Sequence, residues 1–179
     1  MSILVAPLAH VADLVIRRTP SRVISLLDPG DPFPELGSSY VDRHLRLSFH
    51  DAHSPEPGLT VPSPQHIAQL LAFLERWEAG ESLLVHCRMG VGRSTATAFI
   101  AACHRNPQAP ELQIATELRR VAPFARPNET VIKIADTLMH RGGRMTAAMV
   151  ETGHGLGPID VFVAQPFELV SQFEGQSSE

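Results

Sequence analysis

An excess of positive charge is the first thing this sequence lacks. Its 15 lysines and arginines stand against 19 aspartates and glutamates, for a net charge of −4 at pH 7 over 179 residues. A chain that held nucleic acid or anionic membrane through bulk charge would be basic, so neither is expected as a partner. Cysteine is scarce as well, with only Cys87 and Cys103. Two are too few for a disulfide-stapled secreted fold or a four-cysteine zinc site. Aromatics make up 6%, with one tryptophan and one tyrosine, Tyr40, so there is no evident aromatic clamp. No stretch approaches the roughly 18 uninterrupted apolar residues of a membrane span. The apolar N-terminal stretch is broken by Pro7, His10 and Asp13. It has neither the basic region nor the cleavage site of a secretory signal, so a soluble, cytoplasmic protein is expected. What the chain does have is 44% hydrophobic residues, enough to build a core for one domain over residues 1–179.

The elements alternate. Short apolar runs at residues 3–6, 22–27, 44–49 and 82–86 read as strands. Helical periodicity covers 8–17, 93–104, 110–121 and 129–141. A further helix opens at Ser63-Pro64, with Ser63 as N-cap and proline at the first helical position. Ile67, Leu70, Leu71 and Leu74 share its apolar face, and Gly80 is the expected stop. Residues 29–39 carry three prolines and two glycines, and residues 50–64 carry four prolines, so both read as loops. Strands alternating with helices predict an α/β domain, a central and largely parallel sheet flanked by helices. Residues 142–179 have weak periodicity and remain unassigned.

The stretch His86-Cys87-Arg88-Met89-Gly90-Val91-Gly92-Arg93-Ser94 lies where a buried strand gives way to a helix. Backbone N–H groups at such a junction point outward, and the helix dipole favours an anion. Gly90 and Gly92 allow the positive φ that lets successive N–H groups converge into a nest, and the phosphate-binding run is expected to be Arg88 to Arg93. Arg93 can close it with a planar fork that matches two phosphate oxygens. Cys87 lies at the floor, where converging positive potential favours its thiolate, and Ser94 is placed to donate toward the sulfur. His86 is placed to support the loop. A buried cysteine in a glycine turn is the plain alternative, and it suits Cys103, which lies ten residues along the helix from Arg93. That is ~15 Å of rise, too far for a disulfide with Cys87. For Cys87 the plain reading leaves His86, both glycines, Arg93 and Ser94 unexplained.

Cys-x5-Arg-Ser preceded by histidine resembles the signature P-loop of the protein tyrosine phosphatase superfamily, dual-specificity branch included. The resemblance implies a metal- and cofactor-independent phosphoric monoester hydrolase acting on a phosphorylated protein or small phosphoester. It makes Cys87 the nucleophile of a phosphocysteine intermediate, Arg93 the phosphate clamp and Ser94 the aid to thiolate departure. Residues 23–28, the helix over 63–77, Leu118-Arg119 and Pro127-Asn128 look like bacterial dual-specificity-type enzymes, so the resemblance spans about residues 20–140. The family also uses an aspartic acid from a separate loop to protonate the leaving oxygen. Asp51 is the candidate, 36 residues before Cys87 at the head of a proline-rich loop, with Asp28 and Asp42 as turn-forming rivals. Phe49 and His50 stand where tyrosine-specific members have Trp-Pro, and Thr95 stands where glycine is frequent. Asn128 reads as a helix N-cap, with a water-placing role as the alternative. Arg88 at the rim would suit a phosphoinositide.

Other classes compete. A rhodanese-type sulfurtransferase also has a cysteine loop, but usually one residue shorter. A metal-dependent phosphohydrolase is suggested by nine histidines and by His50-Asp51-Ala52-His53, though scattered histidines are more often structural. A phosphate-binding module without catalysis would not need Cys87, Arg93, Ser94 and Asp51 together.

Overall fold

A computed structural model describes residues 2–153 and 164–175. Strands β1 (Ser2–Pro7), β2 (Arg22–Leu27), β3 (His44–Ser48), β4 (Leu83–Cys87) and β5 (Phe167–Val170) form one sheet in the order β3-β2-β4-β1-β5. The pairings β1–β4, β2–β4 and β2–β3 are parallel, whereas β5 runs antiparallel to β1. The expected α/β architecture with a largely parallel sheet is therefore present. Strand alternation divides the core into two layers. Ile3, Val5, Ile24, Leu26, Leu83 and Val85 face the larger one, and Leu4, Ala6, Val23 and Leu84 face the smaller. The smaller layer is closed by α1 (Val11–Arg18), through Val11, Leu14 and Val15, preceded by a 3-10 turn at Leu8–His10.

The larger layer holds α2 (Pro64–Leu74), α3 (Arg93–Arg105), α4 (Glu111–Val121), α5 (Glu129–Leu138) and α6 (Arg144–Thr152). Every residue of α3 from Arg93 to Cys103 is buried. Its alanines, threonines and serine keep the helix slim enough to be surrounded, as a helix buried on all sides requires. In α2, Ser63 accepts from the His66 N–H while the His66 ring accepts from the Ser63 N–H, a capping box with histidine in the third position.

Two helix ends fall short of the sequence reading. Helix α2 ends at Leu74, well before Gly80, because Trp77 turns inward, is 3% exposed and donates its indole N–H to the Glu81 carbonyl at 3.0 Å. Helix α5 stops at Leu138 rather than 141, with His140 at φ +54°. That turn buries Arg141, which donates to the Cys103 carbonyl at 2.6 Å and to Glu111 at 3.0 Å. Helix α6 and strand β5 lie in the segment that weak periodicity left unassigned. Helix α6 is capped from a distance, since Asp136 on α5 accepts from Gly143 N–H at 2.6 Å and Thr146 N–H at 3.0 Å. Among the described residues, no helix is long and apolar enough to cross a membrane.

Phe99 is fully buried at the centre of the larger layer. Phe99→Ala should cost about 3–5 kcal/mol of unfolding free energy, measured by urea denaturation, because α3 has no exposed side into which the cavity can collapse.

Candidate active site

Parallel β4 lies between β1 and β2 and ends at Cys87, so the turn into α3 opens at the carboxyl edge of the sheet. In open α/β sheets this edge is where ligands bind. Cys87 is 1% exposed. Its Sγ is 3.1 Å from Ser94 Oγ and accepts the Gly90 N–H at 3.2 Å. Gly90 has φ +73°, and a Cβ there would lie 2.8 Å from the Pro7 nitrogen, so both conformation and space demand glycine. Residues beyond the turn brace it from outside. Arg126 N–H donates to the Val91 carbonyl at 3.0 Å, and Asn128 N–H to the Gly92 carbonyl at 3.3 Å. The Thr95 hydroxyl donates to the Gly92 and Val91 carbonyls, which gives this threonine a structural reason.

Arg93 opens α3 and is almost wholly buried. One terminal nitrogen donates to the Phe49 carbonyl and pairs with Asp28 at 2.7 Å. Its Nε is buried without a partner among the described residues. A buried unpaired guanidinium N–H is costly unless something accepts it, and an oxyanion seated in the loop would. Arg88 sits outside: its side chain is 55% exposed and pairs with Asp31 at 3.2 Å. Met89 also points outward, 48% exposed.

Asp51 comes to the same place from the other side. A Cβ built on Gly92 would overlap the Asp51 carboxylate, so the absence of a side chain at 92 is what admits it. Asn128, fully buried, holds that carboxylate by donating from Nδ2 to Asp51 Oδ1 at 2.7 Å. Its Oδ1 meanwhile accepts the Val131 N–H at 3.0 Å, which is the N-cap of α5. Thr130 adds a bond to the His53 carbonyl at 2.9 Å, and His50 and Thr60 pinch the loop shut through N–H bonds of 2.8 and 2.9 Å. The loop bearing Asp51 is thus docked on the start of α5. Beside Asp51 and Gly92 opens a cleft of about 480 Å³ with Met89, Val91, Ile132, Met149 and Val150 among its walls.

Behind Cys87, on the opposite face of β4, His86 is fully buried and 2.5 Å from Ser25 Oγ. Burial pushes its pKa down to about 4, a neighbouring His44 adds to the effect, and the Cys87 backbone beside the ring opposes it. The ring is neutral at pH 7. Cys103 is free and buried, and burial pushes its thiol pKa far up, which suits packing rather than reactivity.

The structure therefore gathers Cys87, Gly90, Gly92, Arg93, Ser94 and Asp51 and leaves the Arg88 and Met89 side chains at the rim. Asp28, read as a turn former, is the partner of Arg93; its place at the carboxyl end of β2 was the available signal. Asn128 as a cap was legible from Pro127-Asn128-Glu129, but its grip on Asp51, 77 residues away, was not. Among the described residues, no three histidine, cysteine or acidic side chains converge as a metal cluster.

No protein-family model matches this chain, and no curated protein matches it in sequence. Solved structures do match in fold. Human DUSP28 is 17% identical over 78% of this chain and 88% of its own, with a TM-score of 0.58. The PTP-2 phosphatase of Cydia pomonella is 16% identical over 76% and 85%, also at 0.58. PTPMT1, solved in complex with PI(5)P, is 15% identical over 82% and 93%, at 0.57. The chain has the single-domain α/β fold of the dual-specificity and tyrosine phosphatases.

Two variants separate the two bonds of Asn128. Asn128→Ala loses the cap and should cost about 1 kcal/mol in thermal unfolding. Asn128→Ser keeps a cap acceptor but loses the amide donor to Asp51. It should retain more stability than Asn128→Ala while lowering the activity proposed below.

Proposed function

We propose that this protein is a cysteine-dependent phosphomonoesterase of the protein tyrosine phosphatase superfamily. The observation that carries the reading is the position of the Asp51 carboxylate over Gly92, which puts an acid and the Cys87–Arg93 turn in one cleft. The Cys87 thiolate attacks phosphorus in line with the leaving oxygen, forming the S–P bond as the P–O bond breaks. The turn's N–H groups and Arg93, anchored through Asp28 and the Phe49 carbonyl, stabilise the equatorial oxygens. Asp51, oriented by Asn128, gives its proton to the departing oxygen. As carboxylate it then takes a proton from water that attacks the phosphocysteine, and inorganic phosphate leaves. Ser94, 3.1 Å from Sγ, donates to the thiolate that this second step releases. The apolar walls of the adjoining cleft favour a monoester whose leaving group carries an apolar body. Arg88 would otherwise favour a polyanionic phosphoinositide, but it is engaged by Asp31.

Cys87→Ser should abolish hydrolysis of an aryl phosphate while vanadate or phosphate still binds, and wild-type turnover should persist in chelator. Retained turnover in Cys87→Ser, or strict dependence on an added divalent metal, would sink the reading.

Asp51→Ala should slow alkyl phosphates more than nitrophenyl phosphate, because only the poor leaving group needs the proton. Rate ratios measured across a leaving-group series decide this. An equal loss on both removes Asp51 from the acid role.

A further inference from the structure

The stretch of chain that braces the Cys87–Arg93 turn from outside is itself held by one side chain. Residues 122–128 lead from the end of α4 back to the turn, where the Arg126 and Asn128 N–H groups donate to the Val91 and Gly92 carbonyls. Arg119, in the last turn of α4, reaches over this stretch. One terminal nitrogen donates to the Pro123 carbonyl at 3.0 Å and to the Ala125 carbonyl at 2.8 Å. The other donates to the Gly153 carbonyl at 2.6 Å. Gly153 closes α6 and lines the cleft beside Asp51. Ala122 and Ala125 are fully buried, so the same stretch is also pinned on its apolar side. The neighbouring Arg120 pairs with Glu117 on the surface, whereas Arg119 turns its charge on backbone carbonyls.

Two peptide units carry this grip into the turn. In a trans peptide the carbonyl and the N–H point opposite ways, and the described residues include no cis bond. Arg119 holds the carbonyl of the peptide between Ala125 and Arg126, and the N–H of that peptide donates to the Val91 carbonyl at 3.0 Å. The Val91 carbonyl, which the Thr95 hydroxyl also meets, belongs to the peptide whose other end is the Gly92 N–H. With the carbonyl held outward, that N–H points back into the turn. Peptides bonded head to tail polarise one another, and a guanidinium at the outer end adds to the field in the same sense.

We propose that Arg119 is a positioning residue for the Cys87–Arg93 turn. Through the peptide between Ala125 and Arg126 it fixes the direction of the Gly92 N–H, and through Gly153 it sets one wall of the adjoining cleft. It acts on the turn only through these backbone groups. A clamp that serves stability alone has a counterpart elsewhere in the chain. Arg105, at the opposite end of α3 from the turn, donates to the Trp77 and Glu78 carbonyls at 2.6 and 2.8 Å. Both arginines tie loops to helices, but only Arg119 stands behind a peptide that ends at the turn.

The catalytic part of this inference rests on the phosphatase reading; the tie to the turn does not. In the full chain, Arg119→Met keeps the aliphatic stem and removes every donor. Hydrogen exchange of the Arg126 amide should then quicken about tenfold, because its partner peptide is no longer held. Inorganic phosphate should bind about tenfold more weakly, and kcat/KM for an aryl phosphate should fall by a similar factor, the misalignment of one charge-assisted hydrogen bond. Arg119→Lys keeps the charge and one donor group and should recover part of the phosphate affinity. It stands in for the methionine variant should that one not fold, with smaller changes of the same sign. Arg105→Met frees two carbonyls away from the turn and should leave phosphate binding unchanged. Unaltered Arg126 exchange in whichever Arg119 variant folds overturns the tie. Faster exchange with unchanged phosphate affinity, or an equal loss of affinity in Arg105→Met, overturns the positioning role. A wild-type protein that binds phosphate without turnover counts against the phosphatase reading and leaves the tie to stand or fall on exchange and binding.

Discussion

Parallel pairing of β4 with β1 on one side and β2 on the other is the constraint on which the rest of this structure depends. A strand held on both edges cannot shift its end, so Cys87 stays at the floor of the turn into α3. The register carries the consequences outward. It sets Pro7 beside Gly90, where only glycine fits, and Ser25 beside His86, where a hydroxyl meets a ring. It also brings the carboxyl end of β2 close enough for Asp28 to meet Arg93.

Around that fixed end the charges are arranged in pairs rather than summed. The chain is mildly acidic, yet its two arginines at the turn are each met by a carboxylate from one short stretch, Asp28 for Arg93 and Asp31 for Arg88. The two pairs differ in weight. Arg88–Asp31 is exposed, and such pairs contribute about 0–1 kcal/mol. Arg93 is buried, so its partners decide which way the guanidinium faces, and they leave Nε buried without a partner among the described residues. Asp51 is held differently, by a neutral amide whose other end caps α5, so one side chain couples helix start to acidic loop.

Much of the fold was legible because its signals are local. Ser63-Pro64 marks a helix start and Asp28-Pro29-Gly30 a strand end, and each acts within a few residues. The elements that differed were set by side-chain contacts beyond the helix itself: Trp77 packed into the core with its indole on the Glu81 carbonyl, Arg141 reaching Cys103, and Asp136 capping a helix that begins several residues further on. Strand β5 has four residues and takes its place from β1, so no periodicity of its own announces it.

The sequence by itself determined the Cys87–Arg93 turn, because cysteine, glycines, arginine and serine there act within eight residues and their backbone geometry is local. It also singled out Asp51 by spacing. Only the tertiary structure decided what these residues face: that the missing side chain at Gly92 is the seat of Asp51, that Asn128 holds the carboxylate, and that Asp28 turns Arg93. It likewise decided that two histidines and a serine from three strands form one line. Contacts between residues tens of positions apart depend on how strands pair and helices dock, and no period or motif in a linear chain records that.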